Sequence, residues 1–181
     1  VRTTPYAAVT AVNVIGSNDN DTFTVDQTGG VIARTVTYSG GGQTSTALAR
    51  LVQGAKQRVV IQSPYLVASD EALALLGEIR ARGVAVRINT NSLASTDNLP
   101  AFSGYRNQRA RLLAMGLQIH EYKPAPAVQR QLVQRLAAAQ RTAPVFALHA
   151  KTLVIDGKTV YIGTFNFDPR SENLNTEVGV I

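Results

Sequence analysis

The sequence predicts an α/β fold, a mixed β-sheet flanked by helices, with a short β-rich segment ahead of it. Three observations carry that expectation. From Ser45 onward, strand-like apolar runs alternate with amphipathic stretches closed by glycine, the pattern of successive β-α-β units with parallel strands and right-handed crossovers. Near the C-terminus two short apolar runs flank Asp156-Gly157, which reads as a two-residue type I′ turn and so adds antiparallel strands. Residues 1–44 have a different character: Thr, Val, Asn, Asp and Gly dominate and no amphipathic helix is legible. The expected organisation is a β-rich segment of unknown origin over residues 1–44 and a folding unit over residues 45–181.

Within the first segment, alternation at 22–25 and 34–38 around Thr28-Gly29-Gly30 predicts short strands. Residues 16–23 resemble one degenerate copy of the calcium-binding nonapeptide of β-roll proteins, but Ser17 and Asp19 replace two of its glycines. A single copy has no neighbour to stack on, so an Asx-rich turn is the simpler reading. Gly40-Gly41-Gly42 reads as a linker. A helix is expected over 46–56 and a strand over 58–62, ending at Ser63-Pro64. Ser69-Asp70 caps a second helix over 71–82, whose stripe is Ala72, Leu73, Leu75, Leu76 and Ile79 and whose stop is Gly83. A strand over 84–89, a helix over 105–115 stopped by Gly116, and a strand over 117–122 complete two β-α-β units. His120 falls on the polar face of its strand. Between Pro124 and Pro144 a helical stretch over 128–141 sets Val128, Leu132 and Leu136 on one face and Arg130, Arg135 and Arg141 elsewhere. It suits either an anionic membrane surface or a cover for the sheet. Residues 175–181 read as a last strand.

A chain of 181 residues is long enough for one core of ordinary size. A formal charge of +6 and a pI near 10 point to an anionic partner, a phospholipid surface or nucleic acid, without choosing between them. No apolar run approaches the roughly 18 residues that span a bilayer, so membrane contact by these residues is expected to be peripheral. With no cysteine there are no disulfides or thiolate metal sites, and the two histidines and scattered carboxylates form no recognisable zinc or magnesium cluster. Neither a metal nor another cofactor is expected. Gly29-Gly30 and Gly40-Gly41-Gly42 lack the context of phosphate-binding loops, and the few aromatic residues form no base-stacking cluster, so nucleic acid is the less expected partner.

The hairpin holds the chemistry. Alternate side chains of a strand share a face, which sends His149 and Lys151 the same way, about 7 Å apart. A two-residue turn makes Ile155 face Lys158, and counting back sets Ile162 opposite Lys151 and Thr164 opposite His149, with Asn166 two residues further. One surface would then gather His149, Lys151, Thr164 and Asn166. Imidazole is largely neutral near pH 7 and suits attack on phosphorus, while Lys151 offers charge to nonbridging oxygens and the other two offer neutral donors. Asp156 and Gly157 read as structural, and Asn-Gly forms the same turn, so Asp156→Asn is expected to be mild.

His149-x-Lys151-x4-Asp156 followed by Gly163, Thr164 and Asn166 resembles the signature of the phospholipase D superfamily. The likeness continues through Asn166-Phe167-Asp168-Pro169-Arg170-Ser171, Leu174-Asn175-Thr176-Glu177, Ser63-Pro64-Tyr65-Leu66-Val67 and Thr90-Asn91-Ser92-Leu93-Ala94-Ser95-Thr96-Asp97. These segments are most similar to the C-terminal half of bacterial cardiolipin synthase-like members. It covers residues 45–181 and not 1–44, and family members usually run on beyond the position of Ile181, so a truncated C-terminus is expected. The resemblance implies a phospholipase D-like fold and phosphodiester transfer through a phosphohistidine at His149. It also implies Glu177 beside the imidazole as its orienting carboxylate, and Lys151, Thr164 and Asn166 on the substrate phosphate. Asp156, Gly157 and Gly163 would be the structural part of the motif. Such chemistry needs a second histidine motif, from a homodimer partner or from a missing N-terminal half. Phosphatidyl transfer in cardiolipin or phospholipid synthesis, peripheral to a bacterial inner membrane, is the implied activity. Phosphodiesterase or nuclease hydrolysis would use the same residues with water, and an inactive half-domain is the third reading.

Overall fold

The computed structural model describes residues 11–15, 35–39, 44–124, 146–175 and 177–181. In chain order the elements are β1 (Ala11–Ile15), β2 (Thr35–Ser39), α1 (Thr44–Gln53), β3 (Arg58–Gln62), α2 (Asp70–Ala81) and β4 (Ala85–Asn91). They continue with α3 (Leu99–Ala114), β5 (Gln118–Tyr122), β6 (Thr152–Ile155), β7 (Thr159–Gly163), α4 (Pro169–Asn173) and β8 (Gly179–Val180). The strands form one mixed sheet in the order β2-β1-β8-β7-β6-β3-β4-β5. β3, β4 and β5 run parallel, and β6, β7 and β8 are antiparallel to their neighbours. The six strands after residue 44 thus make the predicted mixed α/β sheet. β1 and β2 pair parallel to each other and join it through an antiparallel contact with β8.

The central strands bury alternate residues because only one of their faces meets the helices. Ile155, Val59 and Val86 form one cross-strand row, and Leu153, Ile61 and Ile88 the next. Two successive right-handed crossovers that advance in one direction along the sheet place α2 and α3 on the same face. There Leu73, Leu76 and Ile79 of α2, Leu112 of α3 and Leu48 and Val52 of α1 close the core over these rows. Each such side chain contributes about 1.5–3 kcal/mol on burial. Ser69 caps α2 by accepting the Ala72 N–H, and Gly83 and Gly116 take positive φ after α2 and α3, as the sequence implies.

Three elements and one register differ most from expectation. α1 begins at Thr44 and ends at Gln53, ahead of the span read from its apolar pattern. α3 begins at Leu99, six residues before Tyr105, because the Asn98 side chain accepts the Ala101 N–H and Pro100 fits the first turn; this cap outweighs the helix-weakening Ser103 and Gly104. The last strand contracts to Gly179–Val180. The hairpin differs most. Asp156 and Gly157 both have positive φ and Lys158 N–H donates to the Ile155 carbonyl, which is the predicted turn, yet the ladder pairs Ile155 with Thr159 and Thr152 with Ile162. Lys158 is therefore an extra, bulged residue, and the register is one step from the expected one. The expected strands at 22–25, the turn at 16–23, the linker at 40–42 and the helix over 128–141 lie outside the described residues.

Asp156 does more than turn the chain. Its carboxylate accepts the backbone N–H groups of Lys56, Gln57 and Arg58 at 2.9, 2.8 and 2.9 Å, and its own N–H donates to the Arg58 carbonyl. The hairpin tip is thereby tied to the entry of β3. Those donors hold its carboxyl below the ordinary aspartate range, the Arg58 N–H most strongly. An amide offers one acceptor oxygen where three donors converge, so the expectation of a mild Asp156→Asn is revised. That variant should lower the thermal midpoint by a few degrees at neutral pH. Because the folded-state pKa is depressed, the difference from the parent is full above the ordinary aspartate value and shrinks as pH falls through and below it. Melts between neutral and acid pH check this; a pH-independent difference would contradict it.

A second expectation concerns residues 1–43. Among the residues with described side chains, the core cluster starts at Leu48, so removing residues 1–43 should leave a cooperative melt at a midpoint lowered by the loss of the strand beside β8. Loss of cooperativity in calorimetry would make the segment part of the core.

Candidate active site

The sheet topology brings distant segments to one end. β6 runs antiparallel to β3 and pairs Thr152 with Gln62, so the residues before β6 lie at the carboxyl end of β3. The reversals into β7 and β8 bring the residues after Gly163 and before Gly179 to the same end. The loops after β3 and β4 complete it, at the carboxyl ends of parallel strands where open α/β sheets bind ligands.

His149 and Lys151 precede β6 and belong to no strand. Their position is set instead by Asn91, a buried residue at the end of β4, whose side chain behaves like a neighbouring strand. Its Nδ2 donates to the Leu148 carbonyl at 2.9 Å and its Oδ1 accepts the Leu148 N–H at 2.8 Å. Ser95 donates to the same Oδ1 and to the Tyr122 carbonyl. His149, one residue on, is exposed, and its ring meets Tyr65 edge-to-face with centroids 6.5 Å apart. Lys151 is half-buried and its Nζ donates to the His149 carbonyl at 2.9 Å. Burial pushes the Lys151 ammonium below its ordinary pKa, against the opposing pull of Glu177, Asp97 and Asp168.

Glu177 is where the expected geometry changes. Its carboxylate is buried, accepts the Thr164 hydroxyl at 2.5 Å and the Asn175 amide at 3.2 Å, and takes no hydrogen bond from His149 among the described residues. Its partners among the described residues are Thr164 and Asn175, and it contributes to the field at Lys151. Thr164 is turned toward Glu177 and Val178: its hydroxyl also accepts the Val178 N–H, and its own N–H donates to the Val178 carbonyl. With the register moved by one, Gly163 rather than Ile162 lies across from Lys151 and donates its N–H to the Lys151 carbonyl. A side chain at Gly163 would run into the Tyr161 hydroxyl and the Val178 carbonyl, which explains glycine there. Gly157 has positive φ and faces the Arg58 guanidinium.

Asn166 is held through its backbone. Its N–H donates to the buried Ser171 hydroxyl and its carbonyl accepts from Asp168, whose carboxylate caps α4 at the Ser171 N–H. The Asn166 Oδ1 is buried and accepts no hydrogen bond among the described residues. Phe165 and Phe167 on either side line a cavity of about 610 Å³ between α1, α2 and α4, which does not include His149. Ser63 ties this segment to the β3 loop, accepting the Phe167 N–H and donating to the Tyr65 carbonyl. Arg170 and His120 are exposed, and neither is in an ion pair among the described residues.

Five residues thus meet at one end of the sheet: His149, Lys151, Thr164, Asn166 and Glu177. Strand alternation did not single out Asn91 at the end of β4 or Tyr65 and Asp97 in the loops after β3 and β4; the signal for Asn91 and Asp97 was a largely polar run, residues 89–97, at the end of a predicted strand.

A family profile described as "Cardiolipin synthase, PLD-like domain" matches residues 48–181. Cardiolipin synthase C of Escherichia coli is 42% identical over 125 residues, covering 69% of this chain. The chain spans about a quarter of that relative, 26% of its length. Among solved structures, the phospholipase D family member Nuc from Salmonella typhimurium is similar with a TM-score of 0.53 and 18% identity, covering 77% of this chain and 74% of that one. Phosphatidylserine synthase from Haemophilus influenzae has a TM-score of 0.55 and 13% identity, covering 76% and 31%. At these identities the structures show a common fold.

The electrostatics generate one expectation. Glu177 leads the carboxylates that hold Lys151 charged, so Glu177→Gln should lower the Lys151 pKa further. An NMR titration of the Lys151 side chain checks this, and an unchanged or raised value would remove Glu177 as its counter-charge.

Proposed function

The chain belongs to the family of PLD-like domains of cardiolipin synthases, and we propose on that premise that it carries one of two histidine motifs of a phosphatidyltransferase. In this reading the His149 imidazole attacks phosphorus, the glycerol oxygen leaves with a proton from a second histidine, and an acceptor alcohol then takes the phosphatidyl group from the phosphohistidine. Lys151 and the Asn166 amide hold the nonbridging oxygens, Thr164 and Glu177 fix the charge beside them, and Asp156, Gly157 and Gly163 shape the hairpin. The observation that supports this reading is that the sheet topology sets His149 and Lys151, ahead of β6, and Asn166, after β7, at the carboxyl end of the parallel strands.

Charge supports the need for a second motif. Lys151 lies in the field of three carboxylates, Glu177, Asp97 and Asp168. A second motif would bring another cation and the general acid, which typically contributes about 10²–10⁴-fold. A covalently joined other half or a second copy of the chain could supply it. The partner surface is an anionic phospholipid membrane, met peripherally: no helix among the described residues is long and apolar enough to cross a membrane. The same site with water as acceptor would be a phosphodiesterase, and an inert half-domain is the reading without a second motif.

Labelled phosphatidylglycerol and plasmid DNA offered to an assembly with both motifs separate these readings. Phosphatidyl transfer to a second lipid is expected, unaffected by chelator; DNA cleavage with no lipid turnover would replace the assignment with a nuclease. His149→Ala should abolish turnover, and Lys151→Ala should cost about 2.7–4 kcal/mol of transition-state stabilisation, as for loss of a strong oxyanion donor. Retention of most of the rate by His149→Ala would defeat the mechanism.

A further inference from the structure

Tyr65 stands beside the imidazole and Asp97 beside Tyr65, and the chemistry above uses Asp97 only as one of the carboxylates in the field of Lys151. Tyr65 leaves the end of β3 and sets its ring at 82° to that of His149, with the centroids 6.5 Å apart. Its hydroxyl donates to Asp97 Oδ1 at 3.0 Å, fixing a carboxylate that belongs to the loop after β4. Asp97 is exposed, and its Oδ2 accepts from no donor among the described residues. The ring that meets the nucleophile thus also holds a carboxylate whose second oxygen is open. Such an oxygen repels phosphate and takes a hydroxyl donor.

We propose that Asp97, held by Tyr65, selects the acceptor by accepting a hydrogen bond from a second hydroxyl of a polyol, such as the vicinal diol of a glycerol headgroup. The inference rests on the phosphatidyl-transfer reading. In the acceptor step the first hydroxyl oxygen forms the new P–O bond and the P–N bond to His149 breaks with its electron pair returning to the ring. The hydroxyl proton passes to the second histidine. Asp97 gains and loses no proton; it holds the neighbouring hydroxyl and so points the first one at phosphorus. A monoalcohol lacks that second hydroxyl and gains nothing from Asp97.

The test is a competition in the assembly that has both motifs, with unlabelled phosphatidylglycerol vesicles as donor and isotope-labelled glycerol or labelled 1-propanol as soluble acceptor, the label entering lipid being the readout. The parent should favour glycerol by about tenfold, the scale of one hydrogen bond to a charged group. Asp97→Ala should bring the ratio close to one. Tyr65→Phe, which keeps the ring beside His149 but releases the carboxylate, should lower it part of the way. A counter-charge role for Asp97 on Lys151 would change both acceptors alike and leave the ratio intact. A preserved ratio in both variants, or equal use of the two alcohols by the parent, overturns the inference while the transferase reading stands. A parent that only hydrolyses its donor overturns both.

Discussion

The two hydrogen bonds between the Asn91 side chain and the Leu148 backbone are the constraint on which the site depends. His149 lies ahead of β6, where no ladder holds the chain, and a single exposed imidazole has little packing of its own to place it. Asn91 supplies what a strand neighbour would, one donor and one acceptor at the spacing of a peptide unit. Its burial gives those bonds their weight, since an unsatisfied amide there would cost about 1–3 kcal/mol. Asn91 is in turn anchored by its place at the end of β4, inside the parallel part of the sheet. The position of the imidazole is thus inherited from the core through one residue.

A second constraint acts on charge. A buried carboxylate at Glu177 is tolerable because Thr164 and Asn175 donate to it and Lys151 lies in its field. The same arrangement keeps an ammonium charged in a half-buried place where desolvation opposes it. The family motif therefore describes an electrostatically coupled set rather than a row of independent ligands.

Much of the fold was legible because local and global signals agree. Ser69 before an apolar stripe, Gly83 and Gly116 after helices, and apolar alternation in β3 and β4 each specify their element with nearest-neighbour chemistry. The Asp156-Gly157 turn was legible for the same reason. The register was not, because Lys158 as a bulge leaves the turn residues unchanged and is chosen by tertiary demands. Among these are the three N–H groups that Asp156 receives from residues 56–58 and the fit of Gly163 against Tyr161. Glu177 was placed at the right end of the sheet from the family pattern, but which donors reach a carboxylate is decided by a backbone turn that no spacing rule reports. Asn91 and Asp97 escaped because a polar run after a strand reads first as a loop.

The most direct test of the account is to trap the covalent intermediate. Rapid quenching of a turning-over assembly with labelled phosphatidyl donor, followed by peptide mapping, should find an acid-labile, base-stable phosphoramidate on the peptide that contains His149. An assembly that turns over while that peptide carries no nitrogen-bound phosphorus would contradict the central claim.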